Sequence, residues 1–196
     1  MNSIYFTKFK GPLSVVDIPV PSPTNEGVVI KVEATGLCRS DWHAWMGHDS
    51  DIVLPHVPGH EFAGVISEIG KAVTKFKVGD RVTVPFVCGC GKCQYCLRGD
   101  AQVCPTQTQP GFTGFGSFAE YVAIDNADFN LIHIPAEVSF ATAAALEVSF
   151  TVKHKSLPPS VVFRLFFLRV FSSLAQGLVD LGILNSLNVF PFLVGD

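Results

Sequence analysis

The sequence predicts a mostly β protein: a small, coiled β-barrel with a few short helices. Three observations carry that prediction. Between residues 4 and 35 short β-branched runs are separated by Gly and Pro punctuation. Residues 62–84 read as short apolar strands parted by Gly64, Gly70 and Gly79-Asp80, a spacing that suits two hairpins. Only one later stretch, Pro135–Leu146, is rich enough in alanine to read as a clear helix.

In chain order, SIYFTKF and LSVVDIPVP are strands joined by a turn at Gly11-Pro12, and a Pro-rich loop follows. VVIKVEATGLC alternates, with Val28, Ile30 and Val32 on one face and Lys31 and Glu33 on the other. That strand delivers Cys38 at its end. Ser40-Asp41 is placed to cap a short helical turn through Trp42–Met46. Gly116–Ile124 reads as a further strand, and Ser139 as the N-cap of the Ala-rich helix.

Two clusters of potential metal ligands stand out. In VCGCGKCQYCLRGDAQVC, two residues separate Cys90 from Cys93 and Cys93 from Cys96, and Cys104 follows after seven more. This spacing lets four thiolates turn onto one tetrahedral ion and leaves no open position, so a zinc held here is structural. The alternatives are disulfides and an iron–sulfur cluster. Against a cluster, the three-residue gap before the last cysteine of bacterial ferredoxins is missing. Cys88 reads as a buried spectator. The second cluster is Cys38 with Gly59-His60-Glu61, thiolate and imidazole being ligand types zinc prefers, and Ser40, Asp41 and His43 lie between. His48, His56, His133 and His154 read as surface or loop residues.

Cys38-Arg39-Ser40-Asp41 with His43, then Gly59-His60-Glu61 and the four-cysteine array, resemble the zinc-dependent medium-chain alcohol dehydrogenases over about the first 150 residues. The resemblance implies a GroES-like (chaperonin-ten-like) barrel with a structural-zinc lobe. It implies NAD- or NADP-dependent oxidation of a small alcohol to an aldehyde or ketone, through a zinc-held alkoxide and hydride transfer. By the family pattern Cys38 and His60 are ligands of a catalytic zinc, with Glu61 as an alternate ligand. Ser40 is the first relay hydroxyl and His43 the outer proton acceptor. Asp41 orients the ligand histidine, and Arg39 faces a cofactor phosphate. The four-cysteine array matches the family's structural-zinc lobe. The pattern asks for a second cysteine where this chain has Val148, which cannot bind zinc, so impaired turnover is expected.

The expected organisation is a GroES-like domain over 1–150 and an apolar tail over 151–196. The tail carries no Gly-x-Gly-x-x-Gly phosphate loop, so the expectation is a chain truncated before the nucleotide-binding domain. The tail reads as helical or irregular. An aberrant reading frame or splicing product, a helical cover over apolar surface and a membrane-surface anchor remain as explanations. Arg164, Arg169 and Asp180 break it into runs too short for a transmembrane span.

A net charge of −3 with no basic cluster argues against nucleic acid as a partner. The N-terminus lacks the pattern of a secretory signal, and a thiolate array suits a reducing compartment, so a cytoplasmic location is expected. Two functions compete: an oxidoreductase, and a non-catalytic zinc-stabilised β-barrel that pairs with a full-length homologue. A zinc-free quinone reductase relative leaves the thiolates without a purpose.

Overall fold

The computed structural model describes residues 1–150. The chain divides into two units, Met1–Lys153 and His154–Asp196. The sequence expectations for the tail, and for His154, fall outside the described residues.

Among the described residues seven strands and four helices follow in the order β1 (Asn2–Tyr5), β2 (Ser14–Asp17), β3 (Val28–Thr35), α1 (Arg39–Met46), β4 (Phe62–Ile69), β5 (Arg81–Thr83), α2 (Gln94–Arg98), β6 (Tyr121–Ile124), α3 (Ala127–Asn130), β7 (Ile132–His133) and α4 (Phe140–Phe150). A 3-10 turn, Ala101–Val103, follows α2. The expected mostly β architecture is present. Its strands form a two-stranded ribbon, β1-β2, and a five-stranded antiparallel sheet in the order β6-β3-β4-β5-β7. No ring of strand pairing closes among the described residues. The ribbon meets the rest of the unit through single bridges, Ser3 with Ala119 and Phe6 with His56.

β3 lies inside the sheet between β6 and β4, and its first three residues are buried. Val28 and Ile30 pack with Phe62, Ile66, Val82, Val84, Val122 and Ile124 in the main core. The alternation read from Val28 to Glu33 therefore holds only from Lys31 onward, where one face reaches solvent. A second core, Phe6, Ala44, Ile52 and Phe112, fills the space between α1 and the loops, and Trp45 and Phe86 pack against it. Helix α4 lies on Ala63 and Ile134 through Ala143 and Ala144. Small side chains on both partners allow that close approach. As expected, Ser139 caps α4, its Oγ accepting from the Thr142 amide at 3.1 Å.

Several local expectations are corrected. Gly64 does not separate strands; it sits inside β4, opposite Val32. A Cβ there would lie 2.0 Å from the Lys31 carbonyl oxygen, so glycine lets the two strands approach across an irregular stretch of the ladder. The strand expected over Gly116–Ile124 shrinks to Tyr121–Ile124. Residues 116–118 instead donate their amides to Val57, Gly59 and Pro58, which ties them to the loop before β4. The cap of α1 is Cys38 rather than the Ser40-Asp41 pair, because Asp41 stands at the third helical position and reaches back to the Cys38 amide at 2.9 Å. Among the described residues no helix is long and apolar enough to cross a membrane.

His56 is not a surface histidine. It is buried at 2% exposure, and its Nε2 donates to the Gly111 carbonyl at 2.8 Å. Burial lowers its pKa from the ordinary value; the Gly111 bond and the Asp41 carboxylate offset part of that. The folded protein thus takes up this proton less readily than the unfolded chain. The stability contribution is complete above the unfolded value of 6.5 and erodes as pH falls below it toward the folded pKa. In a ring-proton NMR titration the His56 midpoint is expected below 6.5; a midpoint at or above that value contradicts the assignment.

Candidate metal centres

The cysteine lobe is built from short pieces that share one purpose. Cys93 caps α2, its sulfur accepting from the Cys96 amide at 3.4 Å, and its own amide donates to the Cys90 sulfur at 3.4 Å. The Cys90 amide points at the Cys104 sulfur at 3.5 Å. Each two-residue spacing therefore makes a turn in which the backbone stabilises the preceding thiolate. The result brings the Cys90, Cys93, Cys96 and Cys104 sulfurs within 4.8 Å of one another. Cys90 and Cys96 are 4.0 Å apart, and Cys93 and Cys104 are 3.8 Å apart. A tetrahedron with zinc–sulfur bonds of about 2.3 Å has edges of about 3.8 Å, so this cage has the size zinc requires. No disulfide forms among the six cysteines, all of which lie among the described residues.

The electrostatics of the cage call for a cation. Backbone amides of Lys92 and Cys93 draw the Cys90 thiol down to about 6, whereas burial pushes Cys96 up to about 12. Four thiolates cannot share this space unless a positive charge sits among them. Cys88 lies outside the cage, buried, with its sulfur 3.6 Å from the Pro85 carbonyl.

Sequence reasoning missed how the lobe is fastened to the sheet. Buried Asn130, at the end of α3, accepts the Gly89 amide at 2.9 Å and donates to the Gly89 carbonyl at 3.0 Å. The same amide group also reaches the Asp125 carbonyl. One side-chain amide thus imitates a strand partner for the start of the cysteine loop. Its only sequence signal is an Asn just before a short apolar run.

The second cluster follows from strand register. Thr35 at the end of β3 pairs with Phe62 at the start of β4, and the Gly36 amide donates to the Glu61 carbonyl at 2.7 Å. The residues beyond those two ends, Cys38 and His60-Glu61, are thereby forced together. Their ligand atoms lie within 4.8 Å of one another. Asp41 fixes the arrangement. At 4% exposure, it accepts the Cys38 amide through Oδ2 at 2.9 Å, and through Oδ1 the Gly59 amide at 3.0 Å and His60 Nδ1 at 3.1 Å. Because the carboxylate only accepts, Nδ1 carries the proton and Nε2 is the accepting nitrogen of the ring. The Ser40 hydroxyl stands 3.1 Å from that Nε2.

The His60 ring is enclosed edge-on by Phe86 and Phe112, at centroid distances of 5.0 and 5.3 Å. The neighbouring His60 is the main influence lowering the Cys38 pKa; burial opposes it and Ser40 assists. Burial raises Glu61, with the neighbouring His60 and Asp41 pulling it in opposite directions. Thiol, imidazole and carboxyl together form a donor set of the kind zinc accepts. Arg39 is exposed at the first turn of α1. His43 lies one turn on, and its Nδ1 meets His48 Nδ1 at 2.9 Å rather than the Ser40 hydroxyl. His48 is exposed, and exposed His133 stacks on Phe76.

The same domain recurs in known proteins. Residues 24–136 match the alcohol dehydrogenase GroES-like domain. The chain belongs to this family. It is 35% identical over 163 residues to alcohol dehydrogenase 1 of Caenorhabditis elegans, covering 82% of this chain and 46% of the relative. With an alcohol dehydrogenase of Geobacillus stearothermophilus it shares 38% identity, over 80% of this chain and 47% of the relative. Among solved structures, an NAD-dependent alcohol dehydrogenase superposes with a TM-score of 0.70 at 35% identity, over 76% of this chain and 44% of the other. A cobalt- and zinc-bound thermostable alcohol dehydrogenase from Pyrobaculum aerophilum gives 0.68 at 30% identity, over 76% and 45%. The chain thus spans a little under half the length of these family members.

Two outcomes test the centres. Asp41→Ala leaves three buried donors without an acceptor, and stability is expected to fall by about 3 kcal/mol or more in chemical denaturation; a loss under about 1 kcal/mol contradicts the hub described above. Cys104→Ser opens the four-sulfur cage. Elemental analysis is expected to show one zinc per chain fewer than in the parent, with earlier thermal unfolding.

Proposed function

We propose that the described unit is the zinc-holding, substrate-oxygen-binding half of an alcohol dehydrogenase-type oxidoreductase. The reaction would be NAD- or NADP-dependent oxidation of a small alcohol to its aldehyde or ketone. The observation that carries the reading is the convergence of Cys38, His60 and Glu61 around one point, with Asp41 holding the His60 ring so that Nε2 is its accepting nitrogen.

In this reading Cys38, His60 and Glu61 hold a zinc whose contribution is Lewis acidity toward the substrate oxygen. The protein supplies the rest. Asp41 locks the His60 tautomer and anchors the Cys38 backbone, so neither ligand reorganises when substrate arrives. Ser40 Oγ is the hydroxyl nearest the ligand nitrogen and takes the substrate proton first. His43, on the same helix and nearer solvent, carries it outward. Phe86 and Phe112 keep water away from His60. Arg39, exposed at the start of α1, would face a cofactor phosphate. The Cys90, Cys93, Cys96 and Cys104 cage holds a second, structural zinc.

Hydride transfer requires the two reactants within about 3–3.5 Å, so the nicotinamide must be held by chain outside the described residues or by a full-length homologue. One specific observation favours a second reading, a non-catalytic zinc-stabilised module: Val148 stands where the family pattern asks for a thiolate. Purified chain supplied with a primary alcohol and either nicotinamide cofactor separates the two. The dehydrogenase reading expects two zinc ions per parent chain and cofactor reduction above an enzyme-free control, raised by Val148→Cys. No reduction by either the parent or the Val148→Cys protein, with two zinc ions bound per chain in the latter, supports the module.

A further inference from the structure

Helix α1 ends in a turn that brings two histidines together. Gly47 adopts the left-handed conformation, with φ 77 and ψ 27. Its amide donates to Ala44 O at 3.0 Å, and the His48 amide donates to His43 O, also at 3.0 Å. This pair of bonds is a Schellman motif. The motif brings the side chain two residues past the cap against the one at the third helical position from the end. That contact is usually apolar. Here it consists of two imidazoles, with His43 Nδ1 and His48 Nδ1 2.9 Å apart.

We propose that His43 and His48 form a surface site for a divalent transition-metal ion of the nickel(II) or copper(II) class. Two neutral imidazoles facing through Nδ1 share one proton, and a cation replaces that proton without moving the backbone. Imidazole nitrogen is a preferred donor for nickel(II) and copper(II), which stand at the tight-binding end of the divalent series. The 2.9 Å between the two nitrogens is the length of a shared-proton contact, and rotation of the two rings about their side-chain torsions turns both lone pairs onto one ion. His48 is exposed and His43 half-buried, so water completes the coordination. Neither histidine belongs to the Cys38, His60 and Glu61 group.

Trp42 makes the site self-reporting. Its ring lies edge-on to both imidazoles, at 4.8 Å from His43 and 5.6 Å from His48. The test titrates nickel(II), which does not oxidise thiols, into zinc-loaded full-length chain while tryptophan fluorescence is followed. Quenching that saturates at one equivalent is expected. His48→Gln should weaken it by more than about tenfold, the low end of what loss of a partner to a metal ligand costs. His133→Gln, which alters an exposed histidine elsewhere, should leave it unchanged. Equal quenching in the His48→Gln protein, or none in the parent, overturns the proposal. The readout involves neither alcohol nor nicotinamide, so its failure leaves the dehydrogenase reading untouched, and the converse also holds.

Discussion

The buried carboxylate of Asp41 holds the candidate catalytic region together. It sits in the first turn of α1 yet takes its hydrogen bonds from the residue that caps its own helix and from two neighbours in the loop before β4, the Gly59 amide and the His60 ring. A carboxylate this deeply buried is tolerated only when its lone pairs are used. Helix start, loop path and ring orientation are therefore a single arrangement, and altering one leaves donors unsatisfied in the others.

That hub acts on a geometry already set by the sheet. β3 and β4 are antiparallel neighbours, so the chain leaving β3 and the chain entering β4 stand side by side. A soft thiolate ligand at the exit and an imidazole at the entry are thereby brought near each other, and Asp41 at the start of α1 fixes their final positions. The far end of the helix and its loop carry the two imidazoles of His43 and His48. The cysteine lobe stands on a different footing. Its cage is closed by local turns between Cys90 and Cys104, and its hold on the sheet comes through Asn130.

The two centres also differ in what they ask of an ion. Four sulfurs at tetrahedral spacing saturate zinc and leave nothing for chemistry, so their contribution is to folding. Cys38, His60 and Glu61 leave coordination open, lie beside aromatic walls, and contain one softer and two harder donors. Openness is what catalysis requires and also what makes an ion easier to lose. Family membership is consistent with both centres, within a chain that spans under half the length of the relatives it matches.

The grouping of the candidate ligands was legible in the order of residues alone. Cys90, Cys93, Cys96 and Cys104 converge because two-residue spacings make turns by local backbone geometry, and no distant partner is needed. The Cys38 and Gly59-His60-Glu61 motifs were legible for a related reason, since residue type restricts which side chains can bind a soft cation. The mostly β character was equally open to view, but the burial of β3 on both faces and the place of Gly64 inside β4 were not. Three-dimensional packing was needed to assign Asp41 as hub, Asn130 as fastener and His56 as a buried donor. Each role depends on which carbonyl or amide lies across a gap of many residues, and polar side chains look alike in sequence whether they face water or a buried backbone. The same reason hid the His43–His48 pair. Its contact is made by the turn at Gly47, and a histidine five residues from another carries no periodic signal of its own.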